Sequence, residues 1–229
     1  MERLSIIVPV LNEAACIGAA LEALGPLRAR GHEVIVVDGG SRDGTAGLAR
    51  AGADAVIEAP RGRASQMNAG ARAASGDVLV FLHADTRLPE DAERAIERGL
   101  ASTGRAWGRF DVRIEGRSAW LPLVARAMNL RSRVTGVATG DQAMFVRRDA
   151  FADAGGFPAI DIMEDIALSA RLKRRSPPVC LREAVITSGR RWDERGALRT
   201  ILLMGSLRLR YFLGDAPSHL ARSYDGDAG

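Results

Sequence analysis

Three acids follow apolar runs in the first half of the chain. Asp38 closes "EVIVVD", Asp85 follows "VLVFLHA", and Glu13 comes just beyond "LSIIVPV", a run that contains Pro9. Carboxylate oxygens suit hard cations such as Mg²⁺ or Mn²⁺, which take one or two protein ligands and complete their shell with water and substrate phosphate. A carboxylate such as Asp38 can also accept from a nucleotide base or a ribose hydroxyl. The plainer role for an aspartate in this position is to cap the next turn or helix. Three acids at matching places favour the chemical role. Glu164 and Asp165 form a second group, just after the glycine-rich, aromatic loop Gly155, Gly156, Phe157. Acids at a helix start complement its dipole; here one of them can instead serve as general base where an acceptor docks. "SGRRW" sets Arg190 and Arg191 beside Trp192, a grouping suited to phosphate oxygens and to packing on a ligand, with simple solvation as the alternative. Arg63 in "RGRASQMNAG" can act likewise near a nucleotide. His83 either ligates a metal or turns into the sheet, while His32 and His219, without acidic or cysteine partners nearby, read as surface residues.

The elements that must hold these residues alternate. Buried strands are expected at Leu4–Val10, Glu33–Asp38, "DAVIEA" and "DVLVFLHAD". The helices between them are expected from Asn12, as cap, to about Arg30, then to about Ala51, over Ala64 to Ala74, and behind Pro89. That order implies an α/β fold, a mixed but mostly parallel sheet flanked by helices, with ligands at the carboxyl ends of the strands. The second half is less regular. It contains a strand at "WGRFDVRIEG", an amphipathic helix at "SAWLPLVARAMNLRSR", a strand at "DQAMFVRR", a helix at "MEDIALSARLKRR", one or two strands at "PPVCLREAVITSG", and a last amphipathic helix at "ALRTILLMGSLRLRYFLG". One domain over 1–224 is expected, with a disordered tail over 225–229. The two amphipathic helices bury against the domain or against a second subunit, which makes a homodimer an open alternative.

Composition bounds the function. The 229 residues carry a net charge of +4, supplied by arginine except for Lys173. Arginine matches phosphate and carboxylate, so a small anionic ligand fits. Scattered arginines and 5% aromatics argue against nucleic acid. No apolar run approaches the roughly 20 residues of a membrane span, and no signal peptide is evident, so a cytoplasmic location is expected. Cys16 and Cys180 lie far apart and read as reduced thiols. A dinucleotide fold requires G-x-G-x-x-G after the first strand; "PVLNEAA" has no glycine, and no P-loop occurs.

Taken in order, "IIVPVLNE", "VIVVDGGSRDGT", "GDVLVFLHADT", "RRDAFADAGGF" and "MEDIALSARL" resemble glycosyltransferase family 2, inverting enzymes of GT-A fold; they span about three quarters of the chain. The resemblance implies a nucleotide-sugar half (about 1–100) and an acceptor half (about 101–224). Pro9, Glu13, Asp38, Gly39, Arg63, His83 and Asp85 would then lie at a UDP-sugar, and Asp85, as the last residue of a D-x-D motif, would bind Mg²⁺ or Mn²⁺. Asp165 would be the catalytic base, with Glu164 beside it. His83 replaces the first aspartate of that motif, and Gly39 replaces a carboxylate of the usual "DDGS". Those departures, with "GDQAMFVRR" and "SGRRW", resemble a narrower branch, selenium-associated transferase 2, which includes selenosugar synthases of selenoneine biosynthesis and members labelled arsenosugar transferases. It implies transfer from UDP-N-acetylglucosamine to selenophosphate, with Gln142, Arg190, Arg191 and Trp192 at the acceptor. A hydroxyl acceptor, a non-catalytic nucleotide-sugar binder and an interfacial helix in "LRTILLMGSLRLRYFLG" are the alternatives.

Overall fold

The computed structural model of the chain describes residues 2–226. Its strands are β1 (Leu4–Val10), β2 (Glu33–Asp38), β3 (Ala55–Glu58), β4 (Val78–Phe81), β5 (Thr86–Arg87), β6 (Trp107–Glu115), β7 (Phe145–Arg147) and β8 (Val179–Ser188). They form one sheet in the order β3-β2-β1-β4-β7-β6-β8-β5. β1, β2, β3 and β4 run parallel, β7 pairs antiparallel with β4 and β6, and β8 runs parallel to β6. The continuous apolar runs of β1, β2 and β4 fit this position, because inner parallel strands are covered on both faces. The mixed, mostly parallel sheet expected from the alternation is therefore present.

The helices are α1 (Ile17–Ala29), α2 (Thr45–Ala49), α3 (Arg63–Ala73), α4 (Ala92–Thr103), α5 (Leu121–Thr135), α6 (Arg148–Asp153), α7 (Glu164–Leu172), α8 (Arg190–Arg195), α9 (Ala197–Phe212) and α10 (Pro217–Gly226). Asn12 does not cap α1. It adopts a positive φ of 55°, accepts from the Arg42 N–H through its side chain, and donates from its own N–H to Ser41. It thus ties the loops after β1 and β2 together, and α1 starts four residues later than its polar cap suggested. β4 stops at Phe81, so Asp85 stands in a turn between β4 and β5 rather than on the strand. His32 is buried, with Nδ1 accepting from the Leu4 N–H at 3.2 Å, and burial lowers its pKa; it is no surface residue. His219 is exposed. Of the tail, residues 225 and 226 continue α10, and 227–229 lie outside the described residues.

Two anchors hold the helices of the second half of the chain. Buried Arg109 on β6 pairs with Asp111, donates to Ser132 Oγ at 3.0 Å and to the Asn129 carbonyl at 3.3 Å, and so pins α5. Leu207 on α9 and Leu220 on α10 pack on Met163 and Ile166 at the start of α7. Each amphipathic helix therefore buries one face within the chain. Leu130, Val134, Leu202, Leu209, Phe212 and Leu213 remain exposed. On the sheet side of α3, a Cβ at Gly70 would lie 2.4 Å from Ile7 Cγ2 and 3.0 Å from Val37 Cγ2. Both neighbours are stiff β-branched side chains. Gly70→Ala is expected to lower stability by about 1–3 kcal/mol, measured as a shift in the urea midpoint at unchanged m.

Candidate active site

The carboxyl ends of β1 and β4 open into a cleft of about 1870 Å³ whose far wall comes from α5, α7, α8 and α9. Of the residues expected at a site, Pro9, Glu13, Arg63, His83, Asp85, Glu164, Asp165, Arg190 and Trp192 all line it. They come from both halves of the chain, so the sheet brings together what the sequence separates by more than 150 residues.

Glu13 accepts the Cys16 thiol proton at 3.1 Å. Burial, then that bond, then the charges of Glu13 and Asp85 push the Cys16 thiol up to about 12. It is a neutral donor that orients Glu13, and no nucleophile. Asp85 is exposed to the cleft and takes one long side-chain bond, from Thr86 Oγ1 at 3.3 Å. His83 faces Asp141 at 3.5 Å through Nδ1, while a Cβ at Gly140 would sit 2.6 Å from its Nε2. Its ring is thus laid over the backbone of Gly140.

α7 begins after Met163, which holds a positive φ of 69°. Asp165 accepts the Gly140 N–H at 2.9 Å through Oδ2 and the Ile166 N–H at 2.7 Å through Oδ1. Glu164 is only 5% exposed. Burial first, and then the neighbouring Asp165 charge, raise its pKa to about 7. Arg63 lines the cleft and is exposed. Crowding by protein disfavours its charge, but Glu164, Asp141 and Asp165 favour it more, and its pKa rises.

Three expected residues stand elsewhere. Asp38 is buried, its carboxylate accepting from the N–H groups of Gly40 and Ser41 and from the Ser41 hydroxyl. It builds the turn, as a plain strand-end aspartate does, and does not line the large cleft. That turn lines a shallower pocket of about 390 Å³ with Gly39, Gly40 and Arg42, joined to the cleft through Leu11 and Arg61. Gln142 is 0% exposed and closes a capping box with Thr139, so it supports the Gly140–Asp141 turn from below rather than meeting an acceptor. The side chain of Arg191 lies outside the described residues.

Other residues of the site went unread in the sequence. Gln66 donates from Nε2 to the carbonyls of Val10 and Val37, both at 2.8 Å. A Cβ at Gly39 would meet its amide at 3.0 Å, so Gln66 occupies the room a larger residue at 39 needs. Arg131 and Arg208 also line the cleft. Nothing but their charge could have flagged them, since an arginine on an amphipathic helix ordinarily faces water.

The sheet and its flanking helices form a GT-A fold, and comparison with known proteins agrees. Residues 5–154 match the model of glycosyl transferase family 2, and the chain belongs to that family. An undecaprenyl-phosphate 4-deoxy-4-formamido-L-arabinose transferase of Pseudomonas paraeruginosa is 31% identical over 160 residues, 64% of this chain and 47% of that protein. The chain thus spans about half the length of that relative. Among solved structures, Staphylococcus aureus TarS 1-349 with UDP-GlcNAc aligns at TM-score 0.67 and 18% identity, covering 81% of this chain and 58% of that one. The mannosyltransferase PcManGT of Pyrobaculum calidifontis, with GDP-Man and Mn²⁺, aligns at TM-score 0.67 and 22% identity, covering 97% and 69%. No helix among the described residues is long and apolar enough to cross a membrane.

Glu164 gives the site a pH signature. Its folded pKa stands above the ordinary carboxylate value, so between about 4.5 and about 7 the folded chain holds a proton that the unfolded chain has released. Stability is therefore expected to fall as pH rises through that window. Urea midpoints at pH 5 and pH 7.5 should differ in the wild type and converge in Glu164→Gln.

Proposed function

We propose that the chain transfers a sugar, N-acetylglucosamine in the first instance, from its UDP carrier to the small anion selenophosphate, with inversion at the anomeric carbon. The observation that carries this reading is the cleft itself, which sets the acids Glu13 and Asp85 of the nucleotide half against arginines and Asp165 of the acceptor half. The selenium acceptor rests on the resemblance carried by "VDGGSRDGT", "FLHADT", "GDQAMFVRR" and "SGRRW". In this reading the nucleoside lies along the shallow pocket at Gly39 and Gly40, and Arg63 and Arg190 face the diphosphate.

The residues fit a divalent metal held mainly by its substrate. Asp85 offers an exposed carboxylate with spare lone pairs. Among the described residues no three His, Cys, Asp or Glu side chains form a cage. One protein carboxylate plus diphosphate oxygens and water is a usual shell for Mg²⁺ or Mn²⁺. Bound there, the ion would neutralise the departing diphosphate. The chain's own work is to orient. A selenophosphate selenium attacks C1 as the C1–O bond to UDP breaks, and the bonding pair leaves with the β-phosphate oxygen. The product is a sugar joined through selenium to phosphate, and hydrolysis of its P–Se bond by water gives the selenosugar and inorganic phosphate. An anionic selenium needs no base, so Asp165, held by the Gly140 and Ile166 N–H groups, fixes the loop beside the acceptor.

One observation favours a second reading, a hydroxyl acceptor. Glu164, raised to about 7, is tuned as a general base should be.

Incubation with UDP-N-acetylglucosamine, Mg²⁺ or Mn²⁺, and selenophosphate should release UDP and yield a selenium-bearing sugar, both followed by mass spectrometry. Asp85→Ala should slow UDP release by about a hundredfold or more. UDP release with hydroxyl acceptors alone would sink the selenium reading, and none under any condition would sink transfer.

A further inference from the structure

We propose that Arg131 on α5 and Arg208 on α9 form a paired-guanidinium site that holds the tetrahedral oxyanion of the acceptor. The inference rests on reading the cleft as a sugar-transfer site and assigns the acceptor group to particular donors. Both side chains line the cleft. Nε and Nη2 of Arg131 and Nε of Arg208 are buried without a hydrogen-bond partner among the described residues. A buried cationic donor left unpaired costs more than the bond it lacks, so native chains seldom keep one idle.

The neighbouring arginines make the exception plain. Arg109 and Arg133 share Asp111, Arg175 bridges Asp149 and Asp153, and Arg210 pairs with Asp215. Arg131 instead feels the positive charge of Arg208. Burial, then repulsion by Arg208, pushes Arg131 down to about 10, and burial lowers Arg208 as well. Asp165 and Asp141 favour both charges from a distance, but neither supplies a hydrogen bond to the orphaned nitrogens.

The turns of helix that carry both side chains are held in place. Ser132, next to Arg131, accepts from Arg109, and Leu207, next to Arg208, is clamped against Met163 and Ile166. A dianion with several oxygens, entering the cleft that both side chains line, would satisfy the orphaned donors. In the reading above the donor diphosphate lies near Arg63 and Asp85, whereas these two arginines come from the acceptor half, from helix walls that also carry exposed Trp120, Leu123 and Ile201. Selenophosphate and a lipid-linked phosphate present the same headgroup chemistry, and those apolar side chains could accompany either.

The test measures two affinities separately by calorimetry, for inorganic thiophosphate and for UDP with Mg²⁺. The chains compared are wild type, Arg131→Met, Arg208→Met and Arg131→Lys. Thiophosphate affinity should fall about tenfold or more in each Met variant and recover in part with lysine, which keeps the charge but loses the fork. UDP affinity should stay within about twofold. Melting curves serve as a second readout: thiophosphate should raise the midpoint of the wild type and leave both Met variants unmoved. No thiophosphate binding by the wild type, or equal affinity in the wild type and the Met variants, overturns the proposal. A UDP affinity that falls in step also overturns it and gives the pair to the donor. A wild type that binds thiophosphate, but not UDP, keeps the pair and removes the sugar-transfer reading. Farnesyl phosphate, titrated in parallel, separates the sources. Binding at least about tenfold tighter than thiophosphate supports the pair with a lipid-linked acceptor, and weaker or equal binding supports it with a free one.

Discussion

The edge from which this site is built is held by one buried amide. Gln66 reaches from α3 to the carbonyls of Val10 and Val37, where β1 and β2 come to their ends. Buried carbonyls at a strand end must find a donor. A single NH₂ group serving two strands fixes their relative height as well. Glu13 follows Val10 by three residues, and Asn12 stitches the loop after β1 to Ser41 and Arg42. Gly39 lies against the same side chain. A side chain at 39 would start from a Cβ about 3.0 Å from the Gln66 amide, so glycine there leaves that amide its room.

From that edge outward the cleft is governed by charge held away from water. Burial, and after it the Asp165 charge, raises the Glu164 pKa to about 7. Burial lowers both Arg131 and Arg208, and the Arg208 charge adds to the effect on Arg131. Such an arrangement is costly in the empty chain and becomes favourable when a ligand with phosphate oxygens enters, which is the usual trade between stability and function at a site. The anchors seen elsewhere in the acceptor half make sense in this light. The buried Arg109–Asp111 network on β6 and the apolar seam of Leu207 with Met163 spend stability in α5 and α9, and so keep the two helices from drifting to relieve the strain.

What could be read from the sequence was what depends on period and punctuation. The apolar runs of β1, β2 and β4, and the order of the family motifs, pointed to Pro9, Glu13, Arg63, Asp85 and Asp165, and these residues line one cleft. What could not be read depends on long-range partners. Asn12 has the composition of a helix cap, yet the loop 30 residues away captures it. His32 lacks acidic neighbours in sequence because its partner is the backbone of Leu4, 28 residues distant. Gln142 sits within a motif, but its neighbours Gly140 and Asp141 face the cleft while it turns inward. Arg131 and Arg208 look like the polar faces of amphipathic helices, and only packing reveals that water has been excluded from them.

The same packing bears on how the acid pair at α7 divides its work. Asp165 spends one oxygen on Gly140 and the other on Ile166, both backbone donors. Those bonds join the helix start to the turn over which His83 lies, so removing the carboxylate would loosen three loops at once. Each oxygen keeps a further lone pair, so these bonds orient Asp165 without using up its capacity to accept a proton. Glu164 also lines the cleft but is 5% exposed, and burial raises its pKa to about 7. The two acids at the start of α7 are thus controlled differently: backbone donors fix where Asp165 stands, while burial decides when Glu164 carries its proton.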